Sequence, residues 1–308
     1  MSFGGGGKKE SPFRQFFLGG ASGCAAACFT HPIDLVKVRM QITGEEKGAA
    51  AATAKKSGML KTGIDVARSE GIMSLYKGLS ASLLRQATYT TVRFGLYLQF
   101  KEALSRPGEK LSLWKSLACS MAAGAGGAIA GSPADVVLVR MQADGKLPLD
   151  QRRGYKNAID GLAKIVREEG PMALTRGCIP NIYRAMLMTA GQLTSYDQAK
   201  AIILAKTDLK DGTVVHVSAS VIAAFVASVI TNPMDVIKTR IMNQAKTAAP
   251  GTVLYKSSLD CAVNILKHEG PLGFWKGFIP FFVRLGPHTV LTFVFFEQFS
   301  RLLNLIAK

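Results

Sequence analysis

Arg85, Tyr89 and Arg93 follow one another at four-residue intervals. On an α-helix that spacing puts all three on one face, over about 12 Å of axis at 1.5 Å per residue. Each guanidinium is a planar fork that grips a carboxylate through two parallel hydrogen bonds. Arg184 and Arg284 add further forks in apolar surroundings. Several separated forks suit an anion with a carboxylate at each end. Phosphate or sulfate would also be attracted, but a single centre cannot use such forks equally. A nucleotide would need an apolar or aromatic slot for its base, and no segment offers a clear one. The four histidines form no metal or catalytic set. With no nucleophile–base constellation and no phosphate loop, neither an enzyme nor a cofactor is expected.

The elements that position these groups repeat. Pro32-Ile33-Asp34-Leu35-Val36-Lys37-Val38-Arg39 recurs as Pro133-Ala134-Asp135-Val136-Val137-Leu138-Val139-Arg140 and as Pro233-Met234-Asp235-Val236-Ile237-Lys238-Thr239-Arg240, at spacings of 101 and 100 residues. A second motif keeps step with it: Glu70-Gly71 with Tyr76-Lys77-Gly78, Glu169-Gly170 with Thr175-Arg176-Gly177, and Glu269-Gly270 with Trp275-Lys276-Gly277. Fixed-period self-similarity marks a repeat architecture. We divide the chain into repeats 11–108, 109–208 and 209–308, after a Gly-rich polar segment 1–10 read as disordered.

Each repeat carries an apolar stretch ending in the Pro motif, a short amphipathic helix, and a second apolar stretch. About 20 residues suffice to cross a hydrocarbon core of about 30 Å. Six spans are therefore expected, with both termini on one side. The 308-residue composition agrees, at 48% hydrophobic and 19% charged with 31 glycines, since soluble domains carry nearer about 25% charge. Gly19/Gly23 and Gly127/Gly131 have the spacing that lets membrane helices approach closely. The formal charge of +17 is spread singly along the chain. That pattern suits anionic lipid and an anionic solute better than nucleic acid, whose binders cluster basic residues on one face. The five cysteines form no CxxC pair and read as reduced, packed thiols.

A single Arg in a span can snorkel to the surface, but one facing lipid costs at least about 2.5–3.5 kcal/mol. Arg85, Arg93, Arg184 and Arg284 are therefore expected to face a shared aqueous interior. Pro inside a helix breaks its hydrogen-bond ladder, so the first helix of each repeat should bend at Pro32, Pro133 or Pro233 and bring the three ends together. Asp and Lys on neighbouring helices can then bridge and close one mouth.

The thrice-repeated Pro-x-[Asp/Glu]-x-x-[Lys/Arg]-x-[Lys/Arg] motif and its downstream glycine motifs resemble the mitochondrial carrier family over roughly Phe13 to Arg301. The resemblance implies an all-α membrane protein, six transmembrane helices in a pseudo-threefold barrel with three short matrix helices. It implies a monomer in the mitochondrial inner membrane, with termini toward the intermembrane space and alternating access to one central site. It also implies cardiolipin bound at Gly71, Gly78, Gly170, Gly177, Gly270 and Gly277. For the matrix gate it implies Asp135–Lys238 and Asp235–Lys37 bridges. Asp34 is left unpaired because Leu138 replaces its basic partner, and Gln41 and Gln142 act as braces. For the cytoplasmic gate it implies Lys101–Asp197 and Lys200–Glu297, with Arg301 partly replacing an absent base.

The stretches Leu84 to Thr91, Gln151 to Asn157 and Arg284 to Phe293 are similar to the family's dicarboxylate branch. That likeness implies exchange of small dicarboxylates, 2-oxoglutarate for malate or related acids, at Arg85, Tyr89, Arg93, Arg184 and Arg284. Dicarboxylate/phosphate exchange and uncoupling-type proton or anion conduction on the same fold stay open.

Overall fold

The computed structural model describes residues 12–42, 58–104, 112–147, 152–206, 213–244 and 255–306; segment 1–10 and Gln151 lie outside them. The pattern long helix, short helix, long helix occurs three times: α1 (Pro12–Gln41), α2 (Met59–Glu70), α3 (Leu79–Leu104); α4 (Leu113–Ala143), α5 (Ala158–Glu169), α6 (Cys178–Lys206); α7 (Thr213–Asn243), α8 (Ser258–Glu269), α9 (Phe278–Ile306). At 1.5 Å per residue, each long helix measures about 39 Å or more. Among the described residues, Leu113–Lys146, Ser218–Asn243 and Pro271–Leu303 are also apolar enough to be read as spans by composition alone. The other three long helices fall short because they carry polar and charged residues, such as Arg85 and Arg93 on α3.

The long helices close a ring in the order α1, α3, α4, α6, α7, α9, and α1, α4 and α7 also meet one another. Small residues allow the close approaches. A Cβ added at Gly127 would lie 3.0 Å from Arg93 Cβ and 3.1 Å from the Tyr89 carbonyl, and one at Gly131 would lie 3.3 Å from Tyr89 Cβ. The glycine pair on α4 thus seats the very turn of α3 that carries Tyr89 and Arg93.

The short helices are joined to the following long ones by a repeated device. Asn157 caps α5 and Ser257 caps α8, each accepting a hydrogen bond from the amide three residues on. Each short helix ends at a glycine with positive φ (Gly71 85°, Gly170 86°, Gly270 72°), and a 3-10 turn leads to a second one (Gly78 89°, Gly177 73°, Gly277 77°). The second glycine lies against the end of a first helix from another unit: Gly78 on α4, Gly177 on α7, Gly277 on α1. A Cβ at Gly277 would come 2.9 Å from Gln41 Cγ and 3.1 Å from the Lys37 carbonyl, whereas one at Gly270 would meet nothing within 4 Å. Gly270→Ala should therefore cost only backbone strain, about 1–3 kcal/mol. Gly277→Ala should cost that plus a helix displacement, and thermal unfolding of the purified variants should rank them so.

Candidate functional site

The three Pro motifs lie inside α1, α4 and α7, and their charged residues pair between helices. Lys37 Nζ lies 2.8 Å from Asp235, and Lys238 Nζ lies 2.9 Å from Asp135. The third position differs. Asp34, expected to be unpaired, instead accepts Arg284 Nη1 at 2.9 Å. Leu138 leaves room for that choice, since it packs on an apolar cluster and offers no charge.

Arg284 is one of three. Arg85 lies 3.7 Å from Asp135, and Arg184 bonds Asp235. All three arginines stand seven residues beyond Gly78, Gly177 and Gly277, about two turns into their helices. The glycine seats fix that register. Asp135 and Asp235 each hold a lysine and an arginine, while Asp34 holds an arginine.

The brace expected of Gln41 and Gln142 is not seen. Both Nε2 atoms are buried without a hydrogen-bond partner among the described residues. Gln41 Oε1 instead sits 2.8 Å from the Thr239 hydroxyl, and its stem runs along Gly277.

Beneath this ring lies a second one, which reading the motifs separately missed. Arg39, Arg140 and Arg240, the last residues of the Pro motifs, are buried and pair with Glu70, Glu169 and Glu269. Lys77, Arg176 and Lys276, from the glycine motifs, reach the same carboxylates at 3.1, 2.6 and 2.5 Å. The Nε of each buried arginine donates to a carbonyl ending another first helix: Arg39 to Gln142, Arg140 to Met242, Arg240 to Gln41, each at 3.1 Å. The near-constant lag between the two motifs was the signal that could have revealed this pairing.

Burial raises the Glu269 carboxyl, but the bonds and charges of Arg240 and Lys276 outweigh it and hold the group below its ordinary value of 4.5. A lowered carboxyl stabilises the fold above its unfolded pKa, and that contribution fades as pH falls through the folded one. Glu269→Gln should therefore unfold at lower temperature than wild type at pH 7, with the gap closing as the pH drops below the ordinary glutamate range.

The middle unit adds a strap. Asp144 accepts the amides of Arg153 and Gly154 at 2.7 and 3.2 Å, and the Arg153 guanidinium donates to the Asn243 side chain and carbonyl at 3.2 and 2.6 Å. The Arg152–Asn157 stretch thus serves the join between units 2 and 3.

On the first ring stands a cavity of about 220 Å³ that includes Arg85, Tyr89, Arg93 and Arg184 in its lining, with Asp135 and Lys238 from the ring itself. It also takes in Asn181, Thr189 and Gln192, three polar residues the sequence had not flagged. Arg284 stands outside that lining, with Nε buried and without a partner among the described residues. The cavity is therefore strongly cationic on one wall and anionic only where the ring supplies Asp135.

The family model described as "Mitochondrial carrier protein" matches residues 8–108, 109–207 and 210–306. The chain belongs to the mitochondrial carrier family. The carrier is 52% identical over 291 residues to a "Probable mitochondrial 2-oxoglutarate/malate carrier protein" of Dictyostelium discoideum, covering 94% of this chain and 90% of the relative. It is 45% identical over 288 residues to the "Mitochondrial 2-oxoglutarate/malate carrier protein" of Bos taurus, covering 93% and 90%. It is 46% identical over 305 residues to "Mitochondrial uncoupling protein 5" of Arabidopsis thaliana, covering 94% and 97%.

At the far ends of the carrier's second helices the expected bridges are not made as read. Glu297 pairs with Arg301 on its own helix at 2.5 Å, and among the described residues no ion pair joins Lys101 to Asp197. Tyr196 bonds the His216 ring on α7, and Lys200 stands half-buried on α6. The cysteines of the described carrier are all free thiols.

Proposed function

We propose that this carrier exchanges 2-oxoglutarate for malate, or closely related dicarboxylates, across the mitochondrial inner membrane. The observation that carries the reading is the cavity where Arg85, Arg93 and Arg184 gather, together with the two 2-oxoglutarate/malate relatives. Arg85, Arg184 and Arg284 would take the substrate carboxylates, with Tyr89 and Arg93 on the same wall of α3.

The ion pairs suggest how binding drives the change of face. Each of these three arginines now holds an aspartate of the first ring. A dicarboxylate that draws their guanidinium groups onto itself strips one cation from each of Asp34, Asp135 and Asp235. The ring loosens only when substrate supplies the compensating charge, because a ligand shifts an equilibrium only by its differential affinity for the two states. An empty carrier keeps its ring and crosses slowly. In this reading the Asp–Lys ring is the matrix gate, the termini face the intermembrane space, and Lys101 with Asp197 and Lys200 with Glu297 form the cytoplasmic gate after the change of face.

Cardiolipin fits the glycine corners. A crevice of about 260 Å³ beside the N-termini of α6 and α8 is lined by Gly177, Cys178, Lys256 and Ser257. Helix N-termini attract phosphate through free amides and the helix dipole. One chain closes the cavity by itself, which favours a monomer.

The test is reconstitution into liposomes preloaded with 2-oxoglutarate, malate, phosphate or nothing, followed by labelled malate uptake. Uptake that requires an internal dicarboxylate supports the exchanger. Uptake driven by internal phosphate moves the carrier to dicarboxylate/phosphate exchange. Collapse of a pH gradient without counter-substrate moves it to uncoupling. Leu138→Lys offers a further check, since the introduced ammonium can pair with Asp34 and complete the ring. Exchange should slow by about threefold to tenfold, a gate stronger by about 0.7–1.4 kcal/mol, and the unfolding temperature of the empty carrier should rise.

A further inference from the structure

Beyond the arginine already described, the two complete Asp–Lys bridges each carry a further contact from a second helix, of a different kind in each case. Asn181 Nδ2 donates to Asp135 Oδ2 at 3.0 Å and to the Ala128 carbonyl at 3.1 Å, and Asn181 is 4% exposed. Lys37 Nζ lies over the Phe281 ring, 4.0 Å from its centroid, and Phe281 is likewise 4% exposed. Both residues stand four positions after a positive-φ glycine (Gly177, Gly277) and three before an arginine of the site (Arg184, Arg284). They therefore share a helix face with that arginine, one turn nearer the rings. The equivalent place in α3 is Ser82, which is buried and carries neither an amide nor a ring. Among the described residues the third position, with Leu138 in place of a lysine, has no such contact.

We infer that Asn181 and Phe281 are positioning residues that hold the two complete bridges shut and so set how readily the empty carrier changes face. Asn181 acts on the acid of one pair, giving Asp135 a neutral donor beside Lys238 and Arg85. Phe281 acts on the base of the other, offering the Lys37 ammonium the negative face of a ring in a setting shielded from water. Each holds one member of its bridge toward a partner on another first helix, since Asp135 must meet Lys238 and Lys37 must meet Asp235 for the ring to close. Granted that the ring is the gate of the proposed exchanger, these contacts stabilise one face of the carrier and not the other.

The test compares two fluxes in the same liposomes: exchange of internal 2-oxoglutarate for external malate, and efflux of 2-oxoglutarate into substrate-free buffer. Efflux requires the empty carrier to return, so its ratio to exchange reads the strength of the empty gate. Phe281→Leu and Asn181→Ala should each raise that ratio about five- to thirty-fold, the loss of one shielded cation–π contact or one charge-assisted hydrogen bond. Phe281→Tyr, which keeps the ring face, and Ser82→Ala should leave it at the wild-type value. A purely packing role for Phe281 would move tyrosine and leucine variants together. If Phe281→Leu loses all exchange, Phe281→Met is read instead, because it fills the space with a flexible apolar chain. A wild-type ratio in Asn181→Ala and in the working Phe281 variant, with exchange intact, overturns the assignment. Absence of dicarboxylate exchange in the wild type overturns the exchanger reading instead.

Discussion

Arg184→Ala should lower dicarboxylate exchange by about a hundredfold or more, the loss of a hydrogen-bonded charge from a shielded site. The protein should stay folded, because Asp235 keeps Lys37 at 2.8 Å and no buried carboxylate is left alone. Arg184→Lys keeps the charge but not the planar fork, so it should restore only a small part of the lost rate. Liposome exchange gives the rate, and thermal unfolding with and without 2-oxoglutarate separates a lost site from a lost fold. Substrate should raise the unfolding temperature of wild type and leave that of Arg184→Ala unmoved. Wild-type exchange in Arg184→Ala would place the site elsewhere.

Glu169→Ala should be the most destabilising single change in the lower ring. Arg140 is 0% exposed, and Glu169 takes both of its terminal nitrogens and also Arg176. Without the carboxylate a buried guanidinium is left, among the described residues, with neutral partners, the Met242 and Gln244 carbonyls and the Tyr155 side chain. Removing one partner of a buried pair costs about 3–5 kcal/mol. Arg140→Met added to Glu169→Ala should recover much of the loss, since an apolar replacement removes the stranded charge. Lys164→Ala is the contrasting control. Its pair with Asp160 is partly exposed on one helix at 3.4 Å, and pairs of that kind contribute about 0.5 kcal/mol or less. Calorimetry of the three variants in one detergent tests the order, and an equal loss in Glu169→Ala and Lys164→Ala would contradict it.

How much could be read before the structure depended on distance along the chain. The motif period and the helix-length apolar stretches gave the order of elements, because those signals are local and repeat. The two Asp–Lys bridges could be assigned through the family resemblance. Asp34 could not, because its partner Arg284 lies at the other end of the chain and had already been read as a substrate ligand. The contacts of the glutamines were not legible because they depend on the neighbouring unit, as with Gln41 against Thr239 and Gly277. Asn181 and Phe281 carry no motif at all and are recognisable only by the register that the glycine seats impose. Composition alone found three spans, since a helix with one wet face dilutes its own apolar average.

The carbonyl contacts of the lower ring also bear on how the chain assembles. Arg39 waits on Gln142, Arg140 on Met242, and Arg240 turns back to Gln41, so every unit leans on its successor and the last leans on the first. No consecutive pair of units can satisfy all its own buried donors. A chain truncated after the second unit would leave Arg140 without Met242 and the Gln41 carbonyl without Arg240. Maturation in the membrane should then be all-or-none, with the early helices inserted but unlocked until α7 arrives.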